Sequence, residues 1–256
     1  MNQIRTVLIA LASAAVITGA AGCGTSSASP PTPPAVPSPA ATTAPAYSSN
    51  GQSGCDGLGG TVDADQTCHV QTSSSNYTLE MRYPLDYPDQ KAVTDFLTQD
   101  RADFLDWIAK FGRQDQRGRP YTYDATAKTY RSGTPTAGTA SMVLEIDNDT
   151  GLANEGHPDT TFKSFNYDLT KGAPITIETL FKPGTQPLEV LNPIVQRELV
   201  HGSDYLVSDL DVYTYQNFAI TDEAVIFFFG QNQVMRDHKG PHQVSVPRAE
   251  LAPLLA

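Results

Sequence analysis

Basic residues are scarce. The 256-residue chain carries 17 Lys and Arg against 28 Asp and Glu, a formal net charge of −11. So acidic a surface repels phosphate backbones and anionic headgroups, which argues against nucleic-acid binding and against electrostatic docking to a membrane. Long apolar runs are missing as well: beyond the N-terminus no stretch is apolar for the twenty or so residues that a spanning helix needs. Cysteine is reduced to Cys23, Cys55 and Cys68, and tryptophan to Trp107. The chain holds no Gly-x-Ser-x-Gly elbow, no Cys-x-x-Cys pair and no phosphate-cradling glycine loop, so the α/β-hydrolase, thiol-redox and nucleotide-hydrolase signatures are all absent.

What is present begins with an export signal. Residues 1–22 contain Arg5, an apolar core over 7–17, and the small residues Gly19, Ala20, Ala21 and Gly22 before Cys23. That order is the grammar of a secretory signal peptide. The Ala20-Ala21-Gly22-Cys23 end looks like a bacterial lipobox, although Ala20 stands where Leu or Val is favoured. Cys23 is therefore expected to carry lipid as the first mature residue; plain cleavage that leaves Cys23 a spare thiol is the alternative. In an exported chain Cys55 and Cys68 are expected to form a disulfide, and their spacing matches no redox or zinc motif. Residues 23–53, rich in Pro, Ser, Ala and Thr, have too little apolar surface to offset ordering and are expected to form a disordered tether.

The body divides into an N-terminal segment over 54–153 and a C-terminal one over 154–256, separated by a polar loop. Alternation over 77–83 predicts a half-buried strand. Apolar residues at three- and four-residue steps (Val93, Phe96, Leu97, Phe104, Leu105, Ile108, Phe111) predict a helix over 89–111, capped by Asp86 or Asp89 and stopped by Gly112. Further strands are expected around 120–130 and at 140–146. Another is expected over 160–169, where uneven aromatic spacing suggests a bulge. A second helix is expected over 188–200 with Pro193 in its first turns, and a short terminal helix over 248–255. Residues 217–220 and 225–229 predict a hairpin turning at Thr221, Asp222 and Glu223. Its second strand, apolar at five consecutive positions, needs cover on both faces: Val225, Phe227 and Phe229 toward one layer, Ile226 and Phe228 toward the other. The class is α+β, with mostly antiparallel sheets packed on two main helices.

Candidate chemistry is thin. His157, His238 and His242 are weak candidate binding residues. His201-Gly202-Ser203-Asp204 is a fragment of hydrolase chemistry whose members are too close in sequence to assemble readily, and it reads better as a helix end. Gly240-Pro241 turns the chain between His238 and His242, so a helical zinc pair is not expected. The stretch from Asp147 to Gly151 begins like a calcium loop and fails, because Leu152 and Pro158 stand where Gly and Glu are required. No metal, cofactor or catalytic residue is assigned.

Gly156-His157-Pro158, Phe165 to Leu169, Leu180-Phe181-Lys182-Pro183-Gly184, Asn217-Phe218, Phe227 to Phe229, and Gly240-Pro241 leading to Val244 through Pro247 carry a resemblance. By these residues the C-terminal segment resembles a domain of unassigned function shared with the extracellular part of lysozyme-sensing anti-sigma factors. With Tyr87 through Lys91, Pro193 through Gln196, Tyr215 through Ala219 and the Cys55/Cys68 pair, the whole body resembles the mycobacterial secreted immunogenic antigen family. The resemblance implies an extracytoplasmic α+β protein with a grasp-like C-terminal part. The expected role is non-catalytic, binding or antigenic, in a monomer anchored at the cell envelope. Its expected partner is a basic protein or an envelope component, and it meets the membrane only through its N-terminal lipid. The alternative is a secreted esterase-like hydrolase acting on envelope lipids.

Overall fold

The computed structural model describes residues 47–112, 119–150, 158–201, 206–207, 210–235 and 240–256. Helix α1 (Tyr47–Gly57) and strands β1 (Thr61–Val62), β2 (Thr67–Ser73) and β3 (Tyr77–Pro84) lead into helix α2 (Gln90–Phe111). Strands β4 (Tyr121–Thr134), β5 (Ala137–Asp149), β6 (Asp159–Asp168) and β7 (Ala173–Pro174) follow. Then come the single turn α3 (Ile177–Leu180), helix α4 (Leu188–Leu199) and a 3-10 turn at Val212–Tyr215. Strands β8 (Phe218–Ile220), β9 (Ala224–Phe229) and β10 (His242–Pro247) and the turn α5 (Arg248–Leu251) complete the chain. Helix α1 thus starts inside the stretch read as tether, and the larger sheet runs on past residue 154 into β6 and β7.

That sheet has seven strands in sequence order, antiparallel everywhere except where β3 lies parallel to β4. A parallel neighbour requires a crossover, and α2 supplies it. Asp89 caps α2, its side chain accepting from the Ala92 N–H at 3.3 Å, and Gly112 ends it. Val93, Leu97 and Phe104 are buried against the sheet face made by Leu79, Met81, Tyr123, Met142 and Leu144. Phe104 meets Tyr123 at a tilt with ring centres 5.3 Å apart, and Trp107 meets Tyr121 edge-on at 5.5 Å. Phe111, expected on this stripe, is instead 63% exposed, because the last turn of α2 runs beyond the sheet. The Cys55–Cys68 disulfide ties α1 to β2 beneath the same core.

The smaller sheet, ordered β10-β9-β8, covers the opposite face. Strand β9 lies at its centre, as its apolar run demands. Val225, Phe227 and Phe229 pack toward α4 and the 3-10 turn, while Ile226 and Phe228 face the large sheet. The two periodic faces therefore serve two cores. The same logic removes the expected bulge in β6, whose register with β5 is unbroken from Asp159 to Asp168. Phe162 points at Phe228, whereas Phe165 points at α2, so an odd aromatic spacing is what a strand buried on both faces produces. Residues 121–134 form one long strand. Pro193 sits in the interior of α4, beyond the first turn, and the terminal helix ends at Leu251 ahead of Pro253. The architecture is α+β with α2 and α4 as its main helices.

The short strand β8 is the outer strand of its sheet, yet its outward backbone groups are not bare. The Ile220 N–H donates to Ser141 Oγ at 3.1 Å, the Phe218 N–H to Ser164 Oγ at 3.1 Å, and Asn166 Nδ2 donates to the Phe218 carbonyl at 2.9 Å. Side chains from β5 and β6 thus take the place of a further strand.

Candidate functional site

The described histidines stand on separate elements. His69, on β2, lies between Asp63 and Glu80 at 4.0 and 3.8 Å on the surface. His201 is exposed just after α4. His242 opens β10, half-buried, opposite Phe229, and lines a small cavity with Lys128, Glu145, Phe162 and Phe228. Cys23, His157, His238, Ser203 and Asp204 lie outside the described residues. Among the described residues no three of His, Cys, Asp and Glu gather as a metal site would require. Three described serines have structural partners: Ser141 and Ser164 hold β8, and Ser132 Oγ accepts from Arg248 at 2.8 Å.

A cleft of about 430 Å³ lies between α3 and α4. Its shape follows from local rules. Thr176 and Thr179 form a reciprocal capping box that holds α3 to a single turn, with the Thr176 N–H donating to Thr179 Oγ1 at 2.8 Å. Lys182 to Thr185 then turns tightly, Gly184 taking φ 80°, a left-handed value that favours glycine. Pro187, with φ −61°, leads directly into α4. Ile177 and Phe181 lie buried at 4% and 5% exposure and floor the cleft; Pro183, Pro187, Leu188 and Val212 wall it. Glu178, Lys182 and Glu189 supply the charge at its rim, and Tyr213, beside Val212, is 55% exposed. A hydrogen bond from the Thr176 side chain, reinforced by the Glu178 backbone N–H, holds the Glu178 carboxyl below its usual range, so it is charged at neutral pH.

An apolar floor with two carboxylates at the rim suits the aliphatic stem and cationic head of a basic side chain. In the sequence Leu180 to Gly184 stands only as a motif of the family resemblance, with no cleft beside it. The cleft exists because Val212, far along the chain, closes one of its sides.

Comparison with known proteins places these features in a family. Residues 178–249, which contain most of the cleft and the whole smaller sheet, match the family described as "Protein of unknown function (DUF3298)". Over 205 residues the chain is 47% identical to the protein named Esterase Rv3036c of Mycobacterium tuberculosis, covering 78% of this chain and 88% of that one. It is 38% identical over 207 residues to Immunogenic protein MPT64 of Mycobacterium tuberculosis, covering 79% of this chain and 88% of that one. The crystal structure of a DUF3298 family member from Bacteroides fragilis superposes with a TM-score of 0.50 at 12% identity, over 77% of this chain and 94% of that one, and so shares the fold. Identity and coverage of this order show that the chain belongs to the MPT64 family of mycobacterial immunogenic proteins, with a DUF3298 domain in its C-terminal part.

Proposed function

We propose that this is an exported, envelope-anchored protein that binds a basic protein partner through the α3–α4 cleft and performs no chemistry there. The observation that carries the reading is the cleft itself: an apolar floor with Glu178 and Glu189 at its rim, on a chain of net charge −11. Charge of this kind speeds encounter and selects partners of opposite sign. Export is supported by the signal-like N-terminus and by the buried Cys55–Cys68 bond, which suits an oxidising compartment. A lysozyme is the first partner to test, since the C-terminal part resembles the domain of lysozyme-sensing anti-sigma factors.

A second reading, an esterase, is favoured by the name of the 47% identical relative. One set of measurements separates the two. Calorimetric titration with lysozyme should show binding that weakens with salt and falls about tenfold when Glu178→Lys and Glu189→Lys are combined. The same protein should neither turn over short acyl esters nor take up a serine-directed fluorophosphonate stoichiometrically. Labelling of one serine together with turnover establishes the esterase instead. Binding indifferent to both salt and the rim charges removes the cleft from consideration.

A further inference from the structure

A second cavity, of about 320 Å³, opens on the other side of α3, between the first residues of β5, the β6–β7 turn, the β8–β9 hairpin and the C-terminal segment. Its size is at the lower end of the range for small-molecule sites, which are mostly apolar with a few placed polar groups. Ile175, Leu180, Ile220 and Leu255 supply apolar wall. Two polar groups there are incompletely engaged. Thr139 Oγ1 is buried and meets no hydrogen-bond partner among the described residues. Arg248 donates from Nη1 to Ser132 Oγ at 2.8 Å and to the Thr221 carbonyl at 3.2 Å, which fixes the guanidinium, and it pairs with no carboxylate among the described residues. The remaining guanidinium N–H groups and the Thr139 hydroxyl are donors suited to an oxygen acceptor. Asp168, the acidic side chain in the lining, is already answered: it accepts from the backbone N–H groups of Thr170 and Lys171, both at 2.9 Å, and pairs with Lys171 Nζ at 3.5 Å.

We propose that this cavity binds an acyl chain through an oxygen head group, either a fatty acid or its ester, with the tail against the apolar wall and the carbonyl oxygen facing Arg248 and Thr139. The proposal goes beyond the α3–α4 cleft and does not rest on it, because the two openings lie on different sides of α3 and share only that turn's neighbourhood.

The test is calorimetric titration of the whole protein with decanoate, methyl decanoate and decylammonium, each kept below its aggregation threshold. One of the two oxygen-headed probes should bind one to one, at least about tenfold tighter than decylammonium, which can only donate. Whichever is tighter identifies the free acid or the ester as the source. Because Arg248 also joins the two sheets, Arg248→Gln is accompanied by Ala173→Phe, which fills the cavity from the two-residue edge strand β7 and leaves the sheet contacts of Arg248 in place. Ala173→Phe should weaken binding about tenfold while leaving lysozyme binding and the thermal transition unchanged. No saturable binding, equal binding of decylammonium, or an affinity untouched by Ala173→Phe each overturns the assignment.

Discussion

Tyr123 and Asp100 show how one half-buried contact couples the sheet to its helix. The Tyr123 hydroxyl donates to Asp100 Oδ2 at 2.6 Å, from β4 to α2. Burial raises the Asp100 carboxyl above its ordinary range; the Tyr123 hydrogen bond offsets this in part, and nearby Asp103 adds to the rise. Burial likewise pushes the Tyr123 hydroxyl well upward, so it stays a donor at every physiological pH. A carboxyl whose folded pKa exceeds its unfolded value contributes most when protonated, and that contribution is lost as pH rises through the folded pKa. Asp100→Asn keeps an acceptor for Tyr123 but cannot ionise. Its melting temperature should therefore gain on the native protein's as pH rises from about 3 to about 7. Thermal melts across that range check it, and a difference independent of pH counts against the buried charge as cause. Nothing in the sequence pairs Tyr123 with Asp100: the contact depends on how α2 lies across β4, and periodicity specifies a face without specifying a partner.

At the scale of elements, the seam between the two sheets rests on few polar side chains. Ser141 is 1% exposed and Asn166 4%, and each satisfies a backbone group of β8. A buried group left without its partner costs about 1–3 kcal/mol, so Ser141→Ala, which orphans the Ile220 N–H, should destabilise by that amount in urea unfolding. A change under about 0.5 kcal/mol would mean the seam is held by Phe228 and its neighbours alone. The elements themselves were largely legible. Period-two and period-3.6 patterns, Asp89, Gly112 and the turn at Thr221 to Glu223 locate β3, α2 and the β8–β9 hairpin correctly, because each is governed by local preference. Where neighbours decide, spacing misleads. It places Phe111 in the core and a bulge between Phe162 and Phe165, because periodicity does not specify which layers lie above and below. The α3–α4 cleft was hidden for the same reason, since Val212 joins it only in three dimensions.

For the whole molecule, address and body are separable. If Cys23 carries lipid, Cys23→Ala should move the protein from the membrane fraction to the medium, and intact-mass analysis of the native protein should show the lipid increment; an unmodified N-terminus at another residue refutes the anchor. The described residues form one compact unit in which the helix α2, the large sheet, the small sheet and α4 follow one another as layers. The answered edge of β8 bears on how such bodies meet one another. Ser141, Ser164 and Asn166 occupy the donors and acceptors that a neighbouring molecule would need in order to extend the small sheet. A second copy can therefore lengthen the small sheet past β8 only by breaking these three bonds, so that edge is a poor template for strand addition.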